Sequence, residues 1–179
     1  MVSSTFNALA KISIMGHPAV GKTTMLKLLA KNGIFDPLYI PTQGFDLESI
    51  KLNNYNLKVW DFGGQKAYLK YLEDYLEGSD LVFIVTDSTP RNVLHSKKLI
   101  ELAKNLVDDE TPIIAIANKQ DLCKDEKSRM NPKLIEDLLH IKTYGLTAIN
   151  PTEKKKLTEI IEKELNHTLV RRGLKESEF

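Results

Sequence analysis

The run Gly16-His17-Pro18-Ala19-Val20-Gly21-Lys22-Thr23 fits the pattern G-x-x-x-x-G-K-[ST]. Two glycines, small residues between them and a lysine–hydroxyl pair suit the binding of a polyphosphate. A turn of small residues points backbone N–H groups at an anion, and a helix starting near Lys22 adds the positive end of its dipole. Gly16, Ala19, Val20, Gly21 and Thr24 would line the phosphates. Lys22 would reach the β- and γ-phosphates, and the Thr23 hydroxyl would be a Mg²⁺ ligand. A glycine turn that only links a strand to a helix carries the same letters. The flanks separate the two readings, because an apolar run precedes the loop and an amphipathic one follows it.

Trp60-Asp61-Phe62-Gly63-Gly64-Gln65 ends a second apolar run. A carboxylate at Asp61 can hold Mg²⁺ through a water. The Gly64 N–H can approach a γ-phosphate because no Cβ stands in its way, and Gln65 can orient an attacking water. Alone, Asp-x-x-Gly is an ordinary strand end; its weight comes from lying downstream of a phosphate loop. Asn118-Lys119-Gln120-Asp121 follows a third apolar run. The Asp121 carboxylate can accept hydrogen bonds from N1–H and the 2-amino group of guanine, which adenine does not present. Leaving such a carboxylate unpaired costs several kcal/mol, so ATP should be rejected. Asn118 can bond the N7 edge, and the stem of Lys119 can cover the ring.

The elements that must position these residues alternate along the chain. Strands are expected at Lys11–Met15, Phe45–Leu52, Tyr55–Trp60, Asp80–Thr86, Pro112–Ala117 and, as a last short strand, Ile141–Thr147. Helices are expected at Lys22–Lys31, Arg91–Val107, Pro132–His140 and Pro151–Val170. Asn53-Asn54 suits a hairpin turn. Val93, Leu99, Leu102, Ala103 and Leu106 are the inward candidates of the second helix, and Leu157, Ile160, Ile161 and Leu165 those of the last. Apolar strands between amphipathic helices describe one α/β domain with a mostly parallel sheet.

With 179 residues, 42% apolar content, a net charge of +1 and one cysteine, the chain suits a single cytosolic domain without a disulfide framework. The weak charge gives no ground for nucleic-acid binding. No apolar run is long enough to span a bilayer, position 2 is Val2 rather than Gly, and the last four residues form no prenylation box. A soluble, cytoplasmic protein with at most weak peripheral membrane contact is expected.

The three motifs together resemble the Ras superfamily and, within it, the Arf/Arl-like branch. Pro41-Thr42-Gln43-Gly44-Phe45, the Trp60–Gln65 run, Asp87-Ser88 and Asn118–Leu122 carry the narrower match. The resemblance implies a P-loop small G-domain with a six-stranded, mostly parallel sheet and helices on both faces. It divides the chain into an arm (1–10), the G domain (11–170, switch I about 33–44, switch II about 61–78) and a polar tail (171–179). It implies catalytic roles for Gln65, Lys22 and Thr42, with Thr23, Thr42 and Asp61 at Mg²⁺ and Gly64 at the γ-phosphate. Thr147 and Ala148 would form the last guanine loop, the Ala148 N–H facing the base oxygen. The implied ligands are GTP, GDP and Mg²⁺. The implied partners are an exchange factor, a GTPase-activating protein and effectors.

Some features depart from the family. Pro18 stands where Arf proteins usually carry an acidic residue; it removes one N–H from the loop and sits where an activating arginine would pass. No arginine lies between Gly33 and Gly44, so intrinsic turnover should be slow, about 10⁻⁴ s⁻¹. The expected function is a GTP-dependent switch with hydrolysis as its timer. The alternative is a nucleotide-bound scaffold that hardly hydrolyses GTP; a metabolic P-loop kinase fits poorly. His17 is expected to be an exposed bystander, Trp60 a structural residue and Cys123 a packing residue.

Overall fold

The computed structural model describes residues 8–30, 44–63, 70–125 and 128–176, with side chains described as far as Thr168. Six strands form one sheet in the order β2-β3-β1-β4-β5-β6. They are β1 (Ala8–Gly16), β2 (Phe45–Leu52), β3 (Tyr55–Phe62), β4 (Leu81–Thr86), β5 (Ile113–Ala117) and β6 (Thr143–Gly145). Only the β2–β3 pair is antiparallel, joined through Asn53 at φ +44°; every other neighbour is parallel.

The helices are α1 (Lys22–Ala30), α2 (Leu72–Leu76), α3 (Pro90–Leu106), α4 (Pro132–Leu139) and α5 (Lys154–Glu176). They cover both faces, and the strand residues sort between two cores by alternation. Ile12, Ile14, Phe83 and Val85 join α1 and α5 in one core; Met15, Val82 and Ile84 join α3 and α4 in the other. All six residues of β4 are buried, as an interior strand covered on both faces requires. Each such side chain contributes about 1.5–3 kcal/mol of burial.

Several expectations shift. β1 begins at Ala8 rather than Lys11, pairing Ala8 with Tyr55 before β4 starts alongside. In α3 the inward row is Val93, Ser96, Ile100 and Ala103, while Leu102 is 39% exposed. That row keeps the three- and four-residue spacing of one helix face, and Leu102 falls off it. Pro151–Glu153 forms a 3₁₀ turn capped by Asn150, whose side chain accepts from the Thr152 N–H at 3.1 Å. α5 starts after that turn and continues past residue 170 to Glu176. The short α2 was not expected from the sequence.

Candidate functional site

Parallel neighbours point the same way, so β1, β3, β4, β5 and β6 end on one edge of the sheet. The loops that leave these ends converge there.

The first loop leaves β1 at Gly16, where a Cβ would stand 2.4 Å from the Val85 carbonyl oxygen. Glycine is needed for want of room. Ala19 and Gly21 take φ +64° and +102°, curling the loop before α1 begins. Lys22 is 6% exposed, and its Nζ donates to the carbonyls of Gly16 at 3.1 Å and His17 at 3.0 Å. The ammonium therefore lies back across its own loop. Burial lowers its pKa, with the Asp61 carboxylate opposing the shift. Thr24 follows, half-buried on α1.

Beside the loop, β3 delivers Asp61, which is fully buried. Its Oδ2 accepts from the Thr23 hydroxyl, and its Oδ1 has no hydrogen-bond partner among the described residues. Burial pushes the Asp61 pKa up; the Thr23 hydroxyl and the Lys22 ammonium pull against that, and Asp46 adds to it. A buried carboxylate with one unspent oxygen beside a hydroxyl is a set of hard oxygen donors, so these residues fit Mg²⁺. Among the described residues no three His, Cys, Asp or Glu side chains gather as a metal site. A metal here would draw on hydroxyl, water and phosphate oxygens as well.

The third loop follows β5. Asn118 is 2% exposed; its Nδ2 donates to the Val20 carbonyl and its Oδ1 accepts from the Ala148 N–H, both at 3.0 Å. One side chain thus ties the phosphate loop to both expected base loops. Asn118 and Ala148 were assigned to the base from sequence, and here they bond each other; one Asn118 amide hydrogen is left for a ligand. A Cβ on Gly21 would lie 2.2 Å from Asn118 Nδ2, so this contact also requires glycine. Lys119, at φ +61°, stretches over the phosphate loop and donates from Nζ to the Ala19 carbonyl at 2.8 Å. Asp121 is exposed in a 3₁₀ turn, Gln120–Cys123, and Thr147 is half-buried. Thr42, Gly64 and Gln65 lie outside the described residues.

Three features were not read from the sequence. His17 is no exposed bystander: its ring packs 4.6 Å from that of His95 on α3. Burial, His95, Lys22 and Arg91 hold its pKa below the ordinary value against Asp87. Trp60 belongs to an aromatic strip, its ring 5.3 Å from Phe45 and 5.6 Å from Tyr75. Phe45 and Leu47 at its edge are 41% and 46% exposed. Strand alternation could have flagged that strip, since β2 exposes Phe45 and Leu47 where an ordinary edge strand is polar. The third feature is a buried relay behind Asn118; its residues look like plain loop polars in the sequence. Cys123 packs in place, its thiol directed at the Met130 carbonyl at 3.8 Å.

The profile of the ADP-ribosylation factor family matches residues 2–169. The chain is 38% identical over 116 residues to ADP-ribosylation factor-like protein 3 of Chlamydomonas reinhardtii, across 63% of this chain and 64% of that protein. It is 31% identical over 155 residues to the Caenorhabditis elegans protein of the same name, across 83% and 82%. ADP-ribosylation factor J of Dictyostelium discoideum is 34% identical over 141 residues, across 68% and 73%. The chain thus spans just under two thirds of the algal relative's length and about four fifths of the nematode one's. Because the match runs through every loop that meets at this edge of the sheet, the chain belongs to the ADP-ribosylation factor family of small GTPases.

Proposed function

We propose that the chain is a guanine-nucleotide switch that binds GDP or GTP with Mg²⁺, hydrolyses GTP slowly and presents different surfaces to partner proteins in the two states. The observation that carries this reading is the Asn118 clamp. By holding Val20 and Ala148 at once, it makes the phosphate loop and the base loops two walls of one cleft.

Mg²⁺, when bound, offsets phosphate charge and orients the reacting oxygens. Thr23 and Asp61 would hold it, Asp61 through a water, joined by Thr42. Lys22 would turn from the Gly16 and His17 carbonyls to the phosphates, adding positive charge where negative charge builds up. Gln65 would orient the attacking water and Gly64 would donate its N–H to the γ-phosphate. Asp121 would accept from guanine N1–H and the 2-amino group, which sets the choice of GTP over ATP.

The partner surface we assign is the aromatic strip of Phe45, Leu47, Trp60 and Tyr75. Tyr75 comes from α2 and the other three from the β2–β3 hairpin, whose open end leads into both switch segments, the Gly63 N–H bonding the Gly44 carbonyl there at 2.8 Å. An effector, an exchange factor and an activating protein are the expected partners. Among the described residues no helix is long and apolar enough to cross a membrane; the proposed setting is cytoplasmic, with at most peripheral membrane contact.

The test is Mg²⁺-dependent displacement of fluorescent GDP by GTP but not ATP, followed by single-turnover hydrolysis with and without Gln65→Leu. Equal displacement by ATP would overturn the guanine assignment. Pro18, exposed and lacking an amide hydrogen within the loop, favours the scaffold reading. Turnover insensitive to Gln65→Leu, with equal partner capture by the GDP and GTP-analogue forms, would establish that reading instead.

A further inference from the structure

Behind Asn118 lies a set of polar contacts that faces away from the cleft. Ser88, in the loop after β4, is fully buried at φ +68°. Its hydroxyl donates to the Asn118 carbonyl at 2.7 Å. The Gln120 side-chain amide donates to that same hydroxyl at 2.7 Å and to the Met130 carbonyl at 3.2 Å. The Met130 N–H returns to the Ser88 carbonyl at 2.8 Å. The result is a relay, Gln120 to Ser88 to Asn118, closed by the segment that leads into α4.

The fold makes room for this relay. On β6, a Cβ at Gly145 would stand 2.6 Å from Pro132 Cγ and 3.4 Å from Gln120 Cγ. The missing side chain makes room for the Pro132 ring, beside which the Gln120 stem lies at ordinary contact distance. The Gln120 backbone N–H meanwhile donates to the Leu146 carbonyl at 3.2 Å. The loop so held needs holding, because it reverses on Lys119, a non-glycine residue in the left-handed region. Asn118 and Asp121 sit on either side of that reversal, and a base is read well only when such groups keep their places to within a fraction of an ångström.

We propose that Ser88 and Gln120 are positioning residues for guanine recognition: their relay fixes Asn118 and Asp121 against the β4–α3 loop, so base selectivity depends on two side chains that touch no base. This rests on the guanine-nucleotide reading above and adds to it where the precision of the base site comes from.

The experiment competes fluorescent GDP with GDP and with IDP, which lacks the 2-amino group that Asp121 would read. Ser88→Gly suits the left-handed backbone and removes the Cβ with its hydroxyl; Gln120→Met keeps the length and removes the donor. Each variant should release GDP about tenfold faster and lose severalfold of its preference for GDP over IDP. The double variant should be little worse than either single one, since both break one relay. A GDP-to-IDP ratio held at the wild-type value in the variants, or effects that add in the double variant, would overturn the positioning role. A lower melting temperature alongside an unchanged ratio would mark the relay as a scaffold contact only. Wild-type protein that binds GDP and IDP alike would remove the guanine reading itself, and the positioning role with it. If Ser88→Gly fails to fold, the half-exposed Gln120→Met carries the same test alone.

Discussion

At the proposed base end of the cleft, Asn118 commits its amide oxygen and one amide hydrogen to the surrounding chain, and its backbone groups bond Thr86 and Ser88. At the metal end, Asp61 is equally buried, yet one of its oxygens has no hydrogen-bond partner among the described residues. The base end holds its shape by internal bonds, so little order remains to be imposed when a ligand arrives. A buried, under-bonded carboxylate is unfavourable by itself. A ligand that brings a cation would relieve it, and on the proposed reading this would couple nucleotide binding to the metal. On the proposed reading, discrimination of the base would be built in, while sensing of the phosphates would wait on what is bound.

The sharpest way to break this contrast is Asn118→Ala. It leaves the Val20 carbonyl and the Ala148 N–H unpaired, and should cost about 3 kcal/mol in denaturant unfolding and on the order of a hundredfold in GDP affinity. A loss of affinity with stability intact would show that the clamp does not hold the loops. Next comes Gly21→Ala, which forces a Cβ toward Asn118 at a left-handed backbone angle. About 2 kcal/mol of destabilisation is expected by thermal melting. Asp61→Asn tests the other end: the Mg²⁺ enhancement of GDP affinity, about tenfold or more, should vanish while the nucleotide-free melting temperature does not fall. A fall like that of Asn118→Ala would make the two ends alike.

The smallest effect is expected far from the cleft. The buried Glu164 accepts from Lys142 and, at 2.6 Å, from the Tyr144 hydroxyl. Burial alone would raise its pKa; the bonds from Lys142 and Tyr144 outweigh that and hold it below 4.5. A carboxylate with a lowered folded pKa stabilises above the unfolded value and loses that contribution as pH falls through the folded one. Glu164→Gln should therefore cost about 1 kcal/mol at pH 7, and its gap from wild type should close in acid titrations below pH 4.5. No change in nucleotide affinity should accompany it, which separates pairing for stability from pairing for recognition.

What the sequence disclosed follows from the range of each interaction. The phosphate loop and Asn118-Lys119-Gln120-Asp121 are contiguous, so their letters sit together and were legible. The strands and the core of α5 were legible through periodicity, and Leu157, Ile160, Ile161 and Leu165 are buried as expected. The inward row of α3 was misphased at Leu102, because several apolar residues compete for one face and only packing against β4 chooses among them. The Ser88–Gln120 contact joins residues far apart in the chain, and neither side chain advertises it. The His17–His95 packing was hidden for the same reason. The Asn118 bonds to Val20 and Ala148 could not be read from the letters, because they exist only once three loops have met.

The strand order has a consequence for synthesis. The cleft draws on Gly16 at one end of the sequence and Ala148 near the other, and its walls meet only when β1, β3, β4, β5 and β6 lie in one sheet. A chain still emerging from the ribosome therefore holds the phosphate loop from early on but has no complete site until β6 has left the exit. Binding competence arrives late and all at once. Until then the first half of the chain folds without the second wall of the cleft, and it must find its own way past premature pairing.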